Sequence, residues 1–444
     1  MSVKVRWLDA FPKRWPRIPS KRLFPESKKR ASVSAQQLSA TQEYGVILQS
    51  EFMRLAGRSV VQLNQHLDKR KRVELDDFVI SMRSFQGGLE RAWVAGGIRS
   101  SYVVIKPTPG VHVGYFSRLF KSADYIQALQ ATANFIRDGQ DLNYQNFSLV
   151  DLPLPPMDEQ KVIADFLDYE TIRLDALIEK QERLTALLID KRVSVITNAV
   201  IKGLDPNASM RNPNKEWIPA IPEHWNDSVL GFECSVKARL GWKGLKAEEY
   251  VDDGYIFLAT PNIKGKRIDF DKVNFITEQR YLESPEIMLR VGDVLVTKDG
   301  STTGTTNLVR HLPKAATVNS SIAVLRSFGK LDSEYLFYFF KSAYVQNVIN
   351  RVRDGMGVPH LFQADLKKFF VPIPPVEEQV EIAGHLNGKC DKLDLLITKQ
   401  NHSVELLRER RTALISAAVT GKIDVRGWKP PSADSQLETE MEVA

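Results

Sequence analysis

Pro153-Leu154-Pro155-Pro156-Met157-Asp158-Glu159-Gln160 and Pro372-Ile373-Pro374-Pro375-Val376-Glu377-Glu378-Gln379 are one segment written twice. The first opens a stretch that runs to Asp205, the second one that runs to Asp424, at a constant shift of 219 residues. Along it Ile163-Ala164 returns as Ile382-Ala383, Leu174-Asp175 as Leu393-Asp394, Arg192 as Arg411, and Ala199-Val200 as Ala418-Val419. A repeat of this length makes the chain two related halves before any secondary structure is assigned.

The rest of the chain repeats more faintly. Trp7-Leu8-Asp9-Ala10-Phe11-Pro12-Lys13-Arg14-Trp15 matches Trp217-Ile218-Pro219-Ala220-Ile221-Pro222-Glu223-His224-Trp225. Leu75 to Ser81 matches Val291 to Thr297, each reading as a polar turn running into a buried strand. Tyr115-Phe116 through Phe120-Lys121-Ser122 matches Tyr335-Leu336 through Phe340-Lys341-Ser342, a short aromatic helix, and Arg137-Asp138-Gly139 matches Arg353-Asp354-Gly355. The expected fold is α/β (α+β): two globular domains, at 1–152 and 206–371, joined by helical segments at 153–205 and 372–424, with a polar tail at 425–444. The globular copies have diverged and the helical copies have not. That contrast suits two modules that recognise different things on one frame, although surface loops also drift faster than packed helices in any duplicated protein.

From Glu159 to Val200 there is neither Gly nor Pro, so nothing interrupts a helix. Leu167, Leu174, Leu177, Gln181, Leu184 and Leu188 follow a three-four spacing, and Leu386, Leu393, Leu396, Gln400 and Leu407 repeat it. Such a seam predicts a coiled coil, with the polar Gln fixing register. The duplication predicts that the two helices pack antiparallel about a pseudo-twofold axis. The other use of the seam is a separate partner helix.

Charge is segregated. Residues 1–150 hold 23 basic and 12 acidic side chains, a net of +11, and 206–370 carry +3; the helical stretches 151–205 and 371–424 carry −4 and −1. A basic domain attracts a phosphate backbone and releases its condensed counterions. The acidic helices suit protein partners instead. For a single cluster such as Lys69-Arg70-Lys71-Arg72, a solvated loop is the competing reading. Only Cys234 and Cys390 are present, which excludes a disulfide framework or a thiolate metal cluster. No apolar run reaches membrane-span length and Met1–Ser20 lacks a signal-peptide core, so a cytoplasmic location is expected.

Catalytic patterns are missing. No phosphate loop with its lysine occurs, and Gly300-Ser301-Thr302-Thr303-Gly304-Thr305-Thr306 reads as a loop with small donors able to meet phosphates. There is no glycine-rich cofactor turn with an acidic partner and no Asn-Pro-Pro-aromatic motif. The seven histidines show no metal spacing. Asp293 with Lys298 could form half of a metal nuclease site, but a turn aspartate is the simpler reading. No metal site is expected, and the chain is expected to bind and not to catalyse.

Two copies of Pro-x-Pro-Pro-x-x-Glu-Gln followed by Ile-Ala, each behind a variable domain, together with Ile221-Pro222-Glu223-His224-Trp225 at the second domain's start, resemble the specificity subunit of type I restriction-modification enzymes. The first domain departs from that opening with Phe11-Pro12-Lys13-Arg14-Trp15. The resemblance implies two target-recognition domains, each reading half of a bipartite site in double-stranded DNA. It implies conserved helices that set the spacing and dock two modification (methyltransferase) subunits. S-adenosylmethionine, ATP and Mg would then reside on those subunits and on restriction subunits, with no cofactor in this chain. A self-contained methylation or restriction enzyme and a coiled-coil scaffold without DNA function are the alternatives. The candidate DNA contacts are Lys69, Arg70, Lys71, Arg72, Arg83, Arg91 and Arg99 in the first domain, and Lys264, Lys266, Arg267, Lys298, Arg310 and Lys314 in the second. The candidate partner contacts are Asp158, Glu159, Glu182, Glu377 and Glu378.

Overall fold

The computed structural model describes residues 6–60, 67–81, 84–132, 143–215, 218–239, 245, 247–354 and 360–430. Arg83, Trp217 and the Arg137-Asp138-Gly139 segment lie outside them. The chain divides into two compact units, Met1–Gln181 with His402–Ala444, and Glu182–Asn401. Each unit therefore holds one globular domain and part of both long helices.

In the first unit β1 (Arg17–Pro19) is an entry strand, and β2 (Glu26–Ser27), β3 (Phe78–Ile80), β4 (Glu90–Arg91) and β5 (Val103–Ile105) form the central sheet in the order β2-β5-β3-β4, antiparallel throughout. Phe78-Val79-Ile80 and Val103-Val104-Ile105 are buried at every position, as a β-branched and aromatic run covered on both faces should be. Helix α1 (Val113–Leu119) lays Phe116 against Phe24, whose ring also meets Phe78 and Phe120 edge-on at 5.1–5.6 Å. Strand β6 (Asp151–Pro153) returns to pair with β1 and delivers the chain into α2 (Met157–Lys202).

The second unit repeats this plan. Strand β7 (Asn226–Val229) enters, and β8 (Cys234–Lys237), β9 (Val294–Thr297), β10 (Thr306–Leu308) and β11 (Ile322–Ser327) form a sheet in the order β8-β11-β9-β10. The first-fourth-second-third order is that of the first unit. Helix α3 (Ser333–Lys341) is capped by Asp332, which accepts from the Tyr335 amide at 2.9 Å. Strand β12 (Phe370–Ile373) pairs with β7 and leads into α4 (Val376–Val419).

Paired prolines precede both long helices, where a missing N–H costs nothing. Both helices stop at a glycine in the left-handed region, Gly203 (φ 76°) and Gly421 (φ 70°). Helix α4 runs through Gly384 and Gly388 without a break. The helices pack antiparallel inside each unit. In the first, Arg411 Nε lies 2.7 Å from Asp175; in the second, Arg192 lies 2.9 Å from Asp394. These are one ion pair repeated, since both members shift by 219 residues.

The expected seam is only partly closed. Leu167 and Leu386 are buried in the domain cores and Leu174 is also buried, whereas Leu177 stays 36%, Leu184 40% and Leu396 44% exposed. The domains cover the helix ends and leave the middle turns open, which periodicity alone does not reveal. Among the described residues no helix is long and apolar enough to cross a membrane.

Candidate nucleic-acid interface

The Pro-Pro-x-x-Glu-Gln repeat is a clasp between each domain and its helix. Trp15 Nε1–H donates to Glu159 at 3.0 Å, and Trp225 Nε1–H donates to Glu378 at 3.0 Å. Gln160 accepts from the His112 amide at 2.8 Å and donates to the Gly110 and Pro155 carbonyls. Gln379 does the same with the Asp332 amide at 2.7 Å and the Lys330 and Pro374 carbonyls. Tyr115 Oη–H reaches the Val419 carbonyl at 2.9 Å, and Tyr335 Oη–H the Val200 carbonyl at 3.0 Å, so the aromatic helix ties the far end of the other long helix in each unit. Burial holds both phenols well above their ordinary pKa, which keeps them neutral donors.

This corrects part of the expected partner surface. Glu159 is bonded to Arg14 and Trp15, and Glu378 to His224 and Trp225, so these carboxylates serve the clasp. Asp158, Glu182 and Glu377 are exposed on the helices.

The basic residues sort by what already holds them. Arg70 is 2% exposed, and its guanidinium donates to the Ser32, Val33, Ala35 and Leu67 carbonyls at 2.7–3.1 Å. It is a core residue, and the expectation that it meets DNA is corrected: three carbonyls of the Ser32–Ala35 turn and that of Leu67 converge on it and need a fixed cation. Arg91 grips Asp76 at 2.6 Å and lies over the exposed Trp93 ring at 4.3 Å. Lys71 is half-buried, with Glu26 at 3.9 Å. Lys69, Arg72 and Arg99 are exposed, Arg72 beside Glu74.

Arg99 lines a 590 Å³ cleft with Gln42, Gln49, Ser81 and Tyr102, at the carboxyl end of β3. Hydroxyl, amide and guanidinium groups of this kind read base edges. The glutamines escaped sequence reading because amides carry no charge signal.

In the second domain Lys266, Arg267 and Arg310 meet in one groove of 240 Å³. Arg192 and Lys341, which the sequence reading did not single out, complete it together with Glu334, Asp391 and Asp394. Arg310 forks onto Glu334 with two bonds of 2.7 Å, Lys266 pairs with Asp391 at 2.7 Å, and burial lowers the Lys341 ammonium to about 8. Lys314 pairs with Asp253 at 2.6 Å, Lys264 is exposed, and Lys298 is buried. Asp293 is fully buried and bidentate to Arg326, a structural turn aspartate. No cluster of metal-binding side chains occurs among the described residues.

One buried acid gives the first unit a pH signature. Glu90 is 2% exposed beside Lys121 at 2.7 Å, and burial outweighs that cation, raising its pKa from 4.5 to about 7. A raised folded-state pKa contributes stability that is complete below 4.5 and is lost as pH rises through about 7. Melting of the first unit should therefore fall across that window, and Glu90→Gln should flatten the fall. Melts that track pH identically in both proteins would exclude Glu90 as its source.

Residues 245–406 match the family model described as the type I restriction modification DNA specificity domain. The chain is 25% identical to the MjaVIII specificity subunit of Methanocaldococcus jannaschii, over 63% of this chain and 64% of that protein. It is 25% identical to the EcoKI specificity subunit of Escherichia coli K12, over 74% of this chain and 70% of that protein. The matched part thus spans about two thirds of these relatives' length. In fold the chain resembles a chain from a structure of type I R-M system assembly, with TM-score 0.69, 15% identity, and coverage of 93% and 99%. It also resembles the HsdS subunit of Thermoanaerobacter tengcongensis, with TM-score 0.52, 16% identity, and coverage of 93% and 98%.

Proposed function

We propose, from the premise that this chain belongs with the type I restriction-modification specificity subunits, that each of its domains reads one half of a bipartite DNA site. The observation that carries this reading is the duplication. Two units share one strand order, one Trp–Glu clasp and one Tyr–carbonyl tie, yet differ in the side chains at their loops. A common frame with different reading loops is what two unlike half-sites require. The first domain supplies the Gln42–Gln49–Arg99 cleft, and the second supplies the basic groove of Lys266 and Arg267.

The helices carry the partner surface and fix the number of unread base pairs. Leu177 with Leu396 and Leu187 with Leu406 are repeat-equivalent, and all are 36–57% exposed. Apolar positions exposed alike in both copies suit two identical modification subunits, with Asp158, Glu182 and Glu377 at the rim. The chemistry resides on the partners: S-adenosylmethionine on the modification subunits, ATP and Mg on the restriction subunits. This chain contributes the address and no catalytic group.

The test is to map modified adenines in a host that carries this chain with its partner subunits. Two short read sequences at a constant gap are expected. Modification at a single uninterrupted site, or without sequence preference, overturns the reading.

A further inference from the structure

Lys121 and Lys341 are one residue of the repeat, closing the aromatic stretch in each unit. In the first unit Glu90 on β4 takes Lys121 at 2.7 Å. Glu90 stands opposite Val79 of β3, and the residue in that place on β10, opposite Leu295 of β9, is Asn307. Asn307 is 1% exposed, and its amide donates to the Ile263 and Gly265 carbonyls at 3.1 and 3.0 Å. The second unit thus keeps the lysine and lacks the acid that answers it. Lys341 forms no ion pair among the described residues, and its ammonium lies over the Phe337 ring at 4.5 Å. It borders the 240 Å³ groove, whose three carboxylates are each bonded to another cation: Glu334 to Arg310, Asp391 to Lys266 and Asp394 to Arg192. Asp394 attracts the ammonium, yet Arg192 holds its oxygen at 2.9 Å. Phe337 and Ile196 give the groove an apolar wall, and its volume is that of about eight waters. An ammonium set against an aromatic face, with no acid bonded to it, is well matched by a carboxylate from outside.

We propose that this groove is a binding site for a small organic carboxylate, whose oxygens bond the Lys341 ammonium beside the exposed Arg267 guanidinium. The ligand does in the second unit what Glu90 does in the first. A carboxylate is the class because that is the group the fold itself sets on the equivalent lysine. Lys266 and Arg267 border the same groove, so a bound anion removes positive charge from the surface assigned above to DNA. That consequence rests on the DNA reading; the site stands on the groove and the repeat alone.

The test uses the full wild-type chain with succinate as the probe, and sodium chloride and sodium sulfate at equal ionic strength as controls. Burial lowers the Lys341 pKa to about 8, so near that pH its free amine is open to reductive methylation, which peptide mass spectrometry reads lysine by lysine. Succinate at about ten times its half-saturating concentration should slow methylation of Lys341 about tenfold and leave the exposed Lys264 unchanged. The melting temperature of the second unit should rise by about 3–5 °C under the same conditions. Lys341→Met should lose that rise, and Lys341→Arg, which keeps the charge, should retain most of it. Equal protection by sulfate overturns the carboxylate assignment. Unslowed methylation of Lys341 in succinate overturns the site. Protection by duplex DNA of random sequence but not by succinate also overturns it, and makes Lys341 part of the DNA surface. A wild-type chain that binds no DNA would sink the functional reading alone, because the succinate readouts need no DNA.

Discussion

Replacing Trp225 by alanine should destabilise the second unit by about 3–5 kcal/mol, the range for emptying a buried aromatic site. Trp225 is 1% exposed and sits in a core that includes Val200, Ile221, Tyr335 and Phe370. Its Nε1–H is the donor that fixes Glu378, and the bend at Gly203 closes on its ring, where an added Cβ would stand 3.3 Å away. The alanine variant loses the core filling, the charge-assisted hydrogen bond and the seat of the helix start together. Trp225→Phe keeps most of the volume and should cost less, about 1.5–3 kcal/mol, for the lost bond to a charged group. Denaturant unfolding followed by circular dichroism measures both. A loss below about 1 kcal/mol for the alanine variant would show that the clasp contributes little. Trp15→Ala is the matching experiment in the first unit, where the same bond runs to Glu159.

Arg70→Ala should cost the first unit about 2–4 kcal/mol, because it leaves backbone carbonyls without their charged donor in a buried site. Four carbonyls between Ser32 and Leu67 converge on that guanidinium. Arg72→Ala, two residues on, removes an exposed side chain paired with Glu74 and should change stability by no more than about 0.5 kcal/mol. Its effect should instead appear as weaker DNA binding with a flatter salt slope. Replacing Lys69 to Arg72 as one block would confuse unfolding with lost binding. Equal stability of the two single variants would contradict the placement of Arg70 in the core.

The architecture was legible because duplication is written in residue identities. The shift of 219 residues located both long helices, and the faint match around Leu75 and Val291 located the central strands β3 and β9. The meaning of the repeated Glu-Gln pair was not legible. Its partners, Trp15 and His112 in one copy and Trp225 and Asp332 in the other, are 47–153 residues distant in sequence, and only folding brings them together. Charge in the sequence did not show which cations the fold already pairs, for a related reason. Arg70, Arg91 and Arg310 look alike as sequence, yet each is held by carbonyls or a carboxylate of its own domain. Leu177 and Leu184 show the same limit for apolar residues, since heptad spacing marks a seam without saying which part of it the domains leave open.

The central claim is that two interchangeable domains read two half-sites on one helical frame. The most direct measurement exchanges residues 206–371 for the equivalent domain of a type I specificity subunit, then maps modified adenines across the host genome. The account predicts that one half-site changes, while the other half-site and the number of base pairs between them stay as they were. A change in both half-sites, or in the gap, would contradict it.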